Sequence, residues 1–279
     1  MEFISVNGKI IDANTNCIPA TNRNYRYGDG LFETMKVKQE RILLSELHFA
    51  RLFNGLNILK IRTPNLTPQK LEKEIVDLCE KNHCTDLARV RLSLSRGNGG
   101  LSDEDEQPTW VIECWPLHNE ANLLNENGLI IDVFPDARKS CDLFSNLKSA
   151  SHLTYAMAAR FAKENKLNDC LVLNTYGRLC ESSIANIFWI KEEKIFTPPL
   201  SEGCIAGVTR RHLLQSLQGT RNKIQEKECE IAELENADEI FLTNAIQGIR
   251  WVKQFGHHQY INSMTTEIYR EFIKAALFN

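Results

Sequence analysis

No run of apolar residues in this chain approaches the roughly 18 that a membrane-spanning helix needs, and the opening MEFISVNGKI has neither the basic start nor the apolar stretch of a secretory leader. A helical membrane span is thereby excluded, and a cytoplasmic location is expected. Charge of one sign is lacking too. Lys and Arg number 33 against 36 Asp and Glu, a net charge of -3, which gives no electrostatic reason to expect nucleic acid or an anionic membrane as a partner. Nine cysteines are present, but they are scattered and none forms a CxxC pair. They read as reduced thiols, mostly core filler. The seven histidines lack HExxH or any other metal-ligand spacing, so no protein-bound metal is expected. Gly-x-Ser-x-Gly and Walker A patterns are missing as well. RGNGGLS fails as a dinucleotide loop, because Ser102 stands where the third glycine would be and DEDEQP follows in place of a helix.

What remains is an ordinary globular composition, 43% hydrophobic and 25% charged over 279 residues, enough for two modest domains. Strand and helix patterns alternate throughout. FISVNGKII reads as two strands about a turn at Asn7-Gly8, and LFETMKV and RILLS as a pair about the turn KQE. HFARLFNGLNIL has Leu52, Leu56 and Leu59 at helical spacing, and LTPQKLEKEIVDLCEKN is a helix with Thr67 as N-cap and Pro68 in the first turn. ARVRLSLSRG alternates as a strand with one buried face, partnered by TWVIECWPL. The pattern breaks at LHNEANLLNENG. The expected organisation is α+β, with a small N-terminal α/β domain over residues 1–117, a linker over 118–128 and a larger C-terminal α/β domain over 129–279.

Three features carry chemistry. Lys148 stands alone before the apolar helix LTYAMAARFA. An amine nucleophile must be neutral to attack a carbonyl, and an apolar setting with few acidic neighbours is compatible with that. Glu181 precedes the apolar strand SSIANIFWI. In GCIAGVTRRHLL, Gly207 allows close approach of an anion, while Val208 and Thr209 present N–H groups at a helix start and Thr209 adds a hydroxyl. A lysine, a carboxylate and an anion-binding helix start are the parts needed to hold pyridoxal 5′-phosphate by its carbonyl, its ring nitrogen and its phosphate. Arg51 on HFARLFNGL could add a cation. Of the strand arginines, Arg89 and Arg91 share one face and Arg96 falls on the other, and any of them could bind a substrate carboxylate.

Together these segments resemble the fold-type IV pyridoxal-phosphate enzymes, the class IV aminotransferase family. The landmarks NYRYGDGLFETMKV, HFARL, LKSASHL, GRLCESSIANIFWI, GCIAGVTRRHLL and FLTNAIQGI run in family order across nearly the whole chain. The resemblance implies a D-amino-acid-aminotransferase-like fold and a homodimer acting on a small amino substrate. It assigns Lys148 as the Schiff-base lysine and proton shuttle, and Glu181 to the ring nitrogen. Arg51, Val208 and Thr209 would hold the phosphate, and Thr243-Asn244-Ala245 would close the phosphate and carboxylate side. Tyr27, Arg91 and Arg96 would line the substrate pocket. Within the family, Leu153 stands where branched-chain transaminases usually place a tyrosine, and Ala245 where they tend to carry a threonine. With SRGNGG and TNAIQGI, these look like the 4-amino-4-deoxychorismate lyase subgroup. A branched-chain or D-amino-acid transaminase is the alternative, and a non-catalytic cofactor-binding protein a third.

Overall fold

The computed structural model describes residues 1–103 and 107–278. Glu104–Glu106, in the DEDEQP stretch that follows RGNGGLS, lie outside the described residues. The fold is α+β, with two sheets belonging to two compact units.

The first unit comprises Met1–Ala121 together with Leu147–His152. Its elements are β1 (Phe3–Val6), β2 (Lys9–Asp12), α1 (Arg23–Tyr27), β3 (Gly30–Lys38), β4 (Arg41–Ile42), α2 (Ser45–Ile58), α3 (Pro68–Lys81), β5 (Leu87–Ser95) and β6 (Thr109–Pro116). The sheet order is β2-β1-β6-β5-β3-β4, antiparallel throughout. Positive φ at Asn7 and Gly8, and at Gln39 and Glu40, makes the two tight hairpin turns that the sequence predicts. Thr67 caps α3 as predicted, its side chain accepting the Lys70 amide. Helices α2 and α3 supply Leu52, Leu56, Leu71, Ile75 and Leu78 to one apolar core with Val90, Leu92 and Ile112. Gly55 lets α2 lie close to β3, since a Cβ there would come within 2.7 Å of a Leu31 methyl.

Residues 147–152 were expected with the C-terminal domain but pack in this first unit. The cause is backbone pairing along β3. The Phe32 amide donates to the Lys148 carbonyl (3.0 Å), the Ala150 amide donates to Gly30, and Leu31 bridges Ser149. Strand β4 pairs with β3 at Val37 and Lys38, leaving the earlier part of that edge to this segment.

The second unit comprises Asn122–Asn146 and Leu153–Asn279. Its strands are β7 (Leu129–Val133), β8 (Asp169–Leu173), β9 (Leu179–Ser182), β10 (Asn186–Lys191), β11 (Lys194–Thr197), β12 (Ile224–Glu226), β13 (Glu239–Asn244), β14 (Gly248–Phe255) and β15 (His258–Gln259). Its helices are α4 (Leu153–Glu164), α5 (Val208–Ser216), α6 (Ile231–Glu235) and α7 (Ser263–Ile268), the last continued by a wider helical stretch, Tyr269–Phe278. The mixed sheet runs β12-β11-β10-β13-β14-β7-β8-β9, with β15 on β14. ANIFWI reads as continuously apolar because both sheet faces are covered. Ile187 and Trp189 enter one core with Leu234, while Phe188 and Ile190 enter another with Leu213 of α5 and Ile268 of α7.

Glu181 differs from its sequence reading. It sits inside strand β9, opposite Val172 of β8, rather than at the entry to an apolar strand. All four residues of β9 are buried, so LCES shows no alternation to read. The interdomain linker expected over 118–128 holds a short helical turn, Asn119–Asn122, where the first unit gives way to the second.

Candidate active site

In the first unit the chemistry gathers around β3. The Lys148 ammonium lies 4.5 Å from the centre of the Phe32 ring, and the Arg91 guanidinium lies 4.0 Å from the same ring. The His152 ring meets Phe32 edge-on. Burial pulls the Arg91 guanidinium down from its ordinary range, and its Nε donates to Ser93 Oγ at 3.1 Å. The next residue on β3, Glu33, is buried and takes two hydrogen bonds from Arg51, Nε at 2.8 Å and Nη2 at 2.5 Å. His48 Nδ1 meets the same carboxylate at 2.6 Å. Burial alone would push the Glu33 carboxyl up, but Arg51 and the His48 hydrogen bond outweigh it and hold the group at about 2. Burial pulls the His48 imidazole below its usual value, against the contrary influence of Glu33. His48 is therefore neutral at physiological pH, donates through Nδ1, and keeps a buried Nε2 with no hydrogen-bond partner.

Two arginines and a tyrosine were expected at the substrate. Arg91 faces Phe32 as described, and Tyr27 ends α1 with its ring exposed. Arg96 has partners within the same unit. It pairs with Asp29 (2.8 Å) and donates to the carbonyls of Leu59 (2.8 Å) and Lys60 (3.3 Å), where α2 ends. That engagement closes a helix terminus and fixes the Gly28–Gly30 turn.

In the second unit, Glu181 is the centre of a buried polar knot. Lys139 Nζ donates to its Oε1 at 2.6 Å, and the Tyr155 hydroxyl donates to the same oxygen at 2.5 Å. The Ile205 amide lies 3.0 Å from both carboxylate oxygens, and Asn186 Nδ2 lies 3.4 Å from Oε2. Burial, and then the adjacent carboxylate, push the Tyr155 phenol up, so it remains a neutral donor.

The same unit contains an anion cradle. Helix α5 starts at Val208 with Gly207 as its cap, and no side chain satisfies its first amides. A Cβ on Gly207 would fall 1.8 Å from Asn186 Oδ1, so any larger residue there would displace the Asn186 side chain. The Thr209 and Thr243 hydroxyls are buried without a hydrogen-bond partner, and α5 packs on the strand that carries Thr243. Orphaned buried hydroxyls beside an uncapped helix start fit a phosphate that accepts from all of them. Asn244 is turned differently. Its Oδ1 accepts the Ile246 and Gln247 amides, so its side chain shapes the β13–β14 turn that contains Ala245.

The sequence pattern of Amino-transferase class IV matches residues 30–255. The chain belongs to that family. Pyridoxal 5′-phosphate is the family's cofactor, and each unit has residues that fit it: a lysine in the first, and in the second a buried carboxylate with further donors around it and a helix start with unmet hydroxyls. Among curated relatives, an aminodeoxychorismate lyase of Vibrio harveyi is 28% identical over 238 residues, covering 83% of this chain and 85% of that one. Among solved structures, the 4-amino-4-deoxychorismate lyase of Pseudomonas aeruginosa superposes with a TM-score of 0.82 at 24% identity, covering 98% of each chain. A hypothetical aminotransferase from Mycobacterium tuberculosis in a PLP-bound form gives a TM-score of 0.85 at 19% identity, covering 99% of each chain. These class IV folds are mixed α/β, as here. Among the described residues no helix is long and apolar enough to cross a membrane.

Sequence reasoning missed Glu33, His48, Lys139, Tyr155 and Asn186. For the first two a signal existed: a carboxylate inside the apolar run LFETMKV, and His48 three residues before Arg51 on one helix face. Lys139 and Tyr155 stand in unremarkable local contexts, and only the fold brings both to Glu181.

Proposed function

We propose that this chain is a 4-amino-4-deoxychorismate lyase, releasing 4-aminobenzoate and pyruvate for folate synthesis. The observation that carries the reading is Leu153. It opens α4 five residues after Lys148 and is 74% exposed, so no tyrosine hydroxyl stands where branched-chain members carry one. The Vibrio harveyi relative, a lyase by name, supports the same reading.

Bound pyridoxal phosphate supplies the electron sink. The residue roles are part of the same reading. Lys148 would hold the cofactor's carbonyl carbon through Nζ, and its backbone carbonyl is anchored to β3 by the Phe32 amide. With substrate bound, a free Lys148 Nζ would be the base that takes the proton from the carbon bearing the substrate amine. Aromatisation of the ring then drives loss of the pyruvyl group. Glu181, steadied by Lys139 and Tyr155, holds a proton at the ring nitrogen. Val208 and Thr209 bind the phosphate through helix amides and hydroxyl, with Thr243 and the Asn244–Ala245 turn beside them. Arg51, oriented by Glu33, is the cation assigned to the phosphate. Arg91 and Tyr27 are assigned to the substrate, Arg91 to its carboxylate. A cytoplasmic homodimer is part of the proposal.

The test is to supply enzymatically generated 4-amino-4-deoxychorismate to the cofactor-loaded protein and follow 4-aminobenzoate. Turnover should fall by roughly 10²–10⁴-fold or more in Lys148→Ala. The second reading, a transaminase for branched-chain or D-amino acids, is favoured by the family's own chemistry. Absent 4-aminobenzoate together with fast amino-group exchange onto 2-oxoglutarate would replace the first reading with the second.

A further inference from the structure

Three cysteines of the first unit converge in its core. Local backbone geometry brings two of them together. Helix α3 ends with Asn82, and His83 follows in the left-handed region at φ 54°. The chain then folds back so that the Cys84 amide donates to the Cys79 carbonyl (3.0 Å) and the His83 amide to Glu80 (3.0 Å), the pairing of a Schellman turn. Cys114 comes from β6, on which α3 packs. The three residues are 0%, 4% and 0% exposed for Cys79, Cys84 and Cys114.

Their sulfurs all lie within 4.8 Å of one another, with Cys84 and Cys114 at 3.6 Å, the one such cluster of ligand atoms among the described residues. Asn82 Nδ2 donates to the Cys114 sulfur at 3.2 Å. Cysteines used as filler look different here. Cys170 bonds singly to the Ala158 carbonyl (2.9 Å) and Cys229 to that of Glu230 (3.3 Å).

We propose that Cys79, Cys84 and Cys114 form a trithiolate site for a trivalent thiophilic centre of the arsenite class. Geometry and charge both select it. A three-coordinate trivalent centre keeps a lone pair and is pyramidal, so bonds of about 2.3 Å put its sulfurs about 3.5 Å apart, close to the 3.6 Å between Cys84 and Cys114. Three thiolates leave a net charge of -2 around a monovalent ion, -1 around a divalent ion and none around a trivalent one. The cluster shares its apolar core with Leu78, Val90 and Ile112, where an uncompensated charge is penalised. Binding balances without a redox step: As(OH)₃ and three thiols give the tris-thiolate and three waters.

The experiment uses the fully reduced, cofactor-loaded protein and arsenite alone. Equilibrium dialysis should give one arsenic per chain. Iodoacetamide footprinting, at a urea concentration just below unfolding, should show Cys79, Cys84 and Cys114 protected together and the other cysteines unchanged. Cys79→Ala, Cys84→Ala and Cys114→Ala should each weaken binding at least tenfold, and Cys229→Ala should not. Footprinting on the unaltered chain decides the matter even where a variant fails to fold. No binding at millimolar arsenite, protection at other cysteines, or cadmium bound at these three with arsenite rejected would each overturn the proposal.

Discussion

Glu33 shows how strongly one buried carboxylate can tie stability to pH. Its folded value of about 2 lies below the ordinary 4.5, so the folded state gains from its ionisation. That stability, about 3 kcal/mol, is fully present above pH 4.5 and is lost as pH falls toward 2. His48 acts in the same direction at higher pH. Its lowered value means the unfolded chain takes up a proton first, so stability begins to fall as pH drops through the ordinary histidine range near 6.5. Glu33→Gln should cost roughly 3–5 kcal/mol at neutral pH, because Arg51 is left partly buried without its carboxylate. The same variant should flatten the pH dependence below 4.5. Urea unfolding midpoints of both proteins between pH 3 and 8 measure this, and parallel curves would show that Glu33 is not the responsible group. The sequence marked Arg51 and Lys148 but gave no partner for either, since partnership across a helix and a strand depends on packing.

Helix α5 was readable as an element, because glycine, then valine and threonine at a helix start carry their meaning locally. Strand β9 was not, since a short strand buried on both faces has no periodicity to detect. The unmet Thr209 hydroxyl gives α5 a distinguishing test. Thr209→Val removes an unsatisfied buried hydroxyl, so the cofactor-free protein should lose no stability and could gain up to about 1–3 kcal/mol. Cofactor affinity should fall roughly tenfold through loss of one hydrogen bond to the phosphate. Thermal melts without cofactor and a fluorescence titration with it read the two effects separately. A variant destabilised in both measurements would make Thr209 a structural residue.

The chain as a whole is not two consecutive domains. It leaves the first unit after Ala121, returns for Leu147–His152, and leaves again. Composition and linker-like sequence pointed to a single boundary, because a six-residue return carries no signature before its β3 pairing is known. A fragment of residues 1–121 would therefore expose the Gly30–Phe32 edge of β3 and lack Leu147 from its core. It should aggregate or fold incompletely. Fusing residues 147–152 after residue 121 through a flexible linker should restore a cooperative circular-dichroism melt. Equal melts with and without the added segment would show that the return is dispensable.

Asn186 has a consequence beyond its hydrogen bonds. Its amide nitrogen reaches Glu181 and the Ile205 carbonyl, while its oxygen stands where a side chain on Gly207 would have to go. One side chain thus gauges the span from the carboxylate to the helix start. The carboxylate and the helix start of the second unit are thereby tied to one side chain, so a shift of either one moves the other.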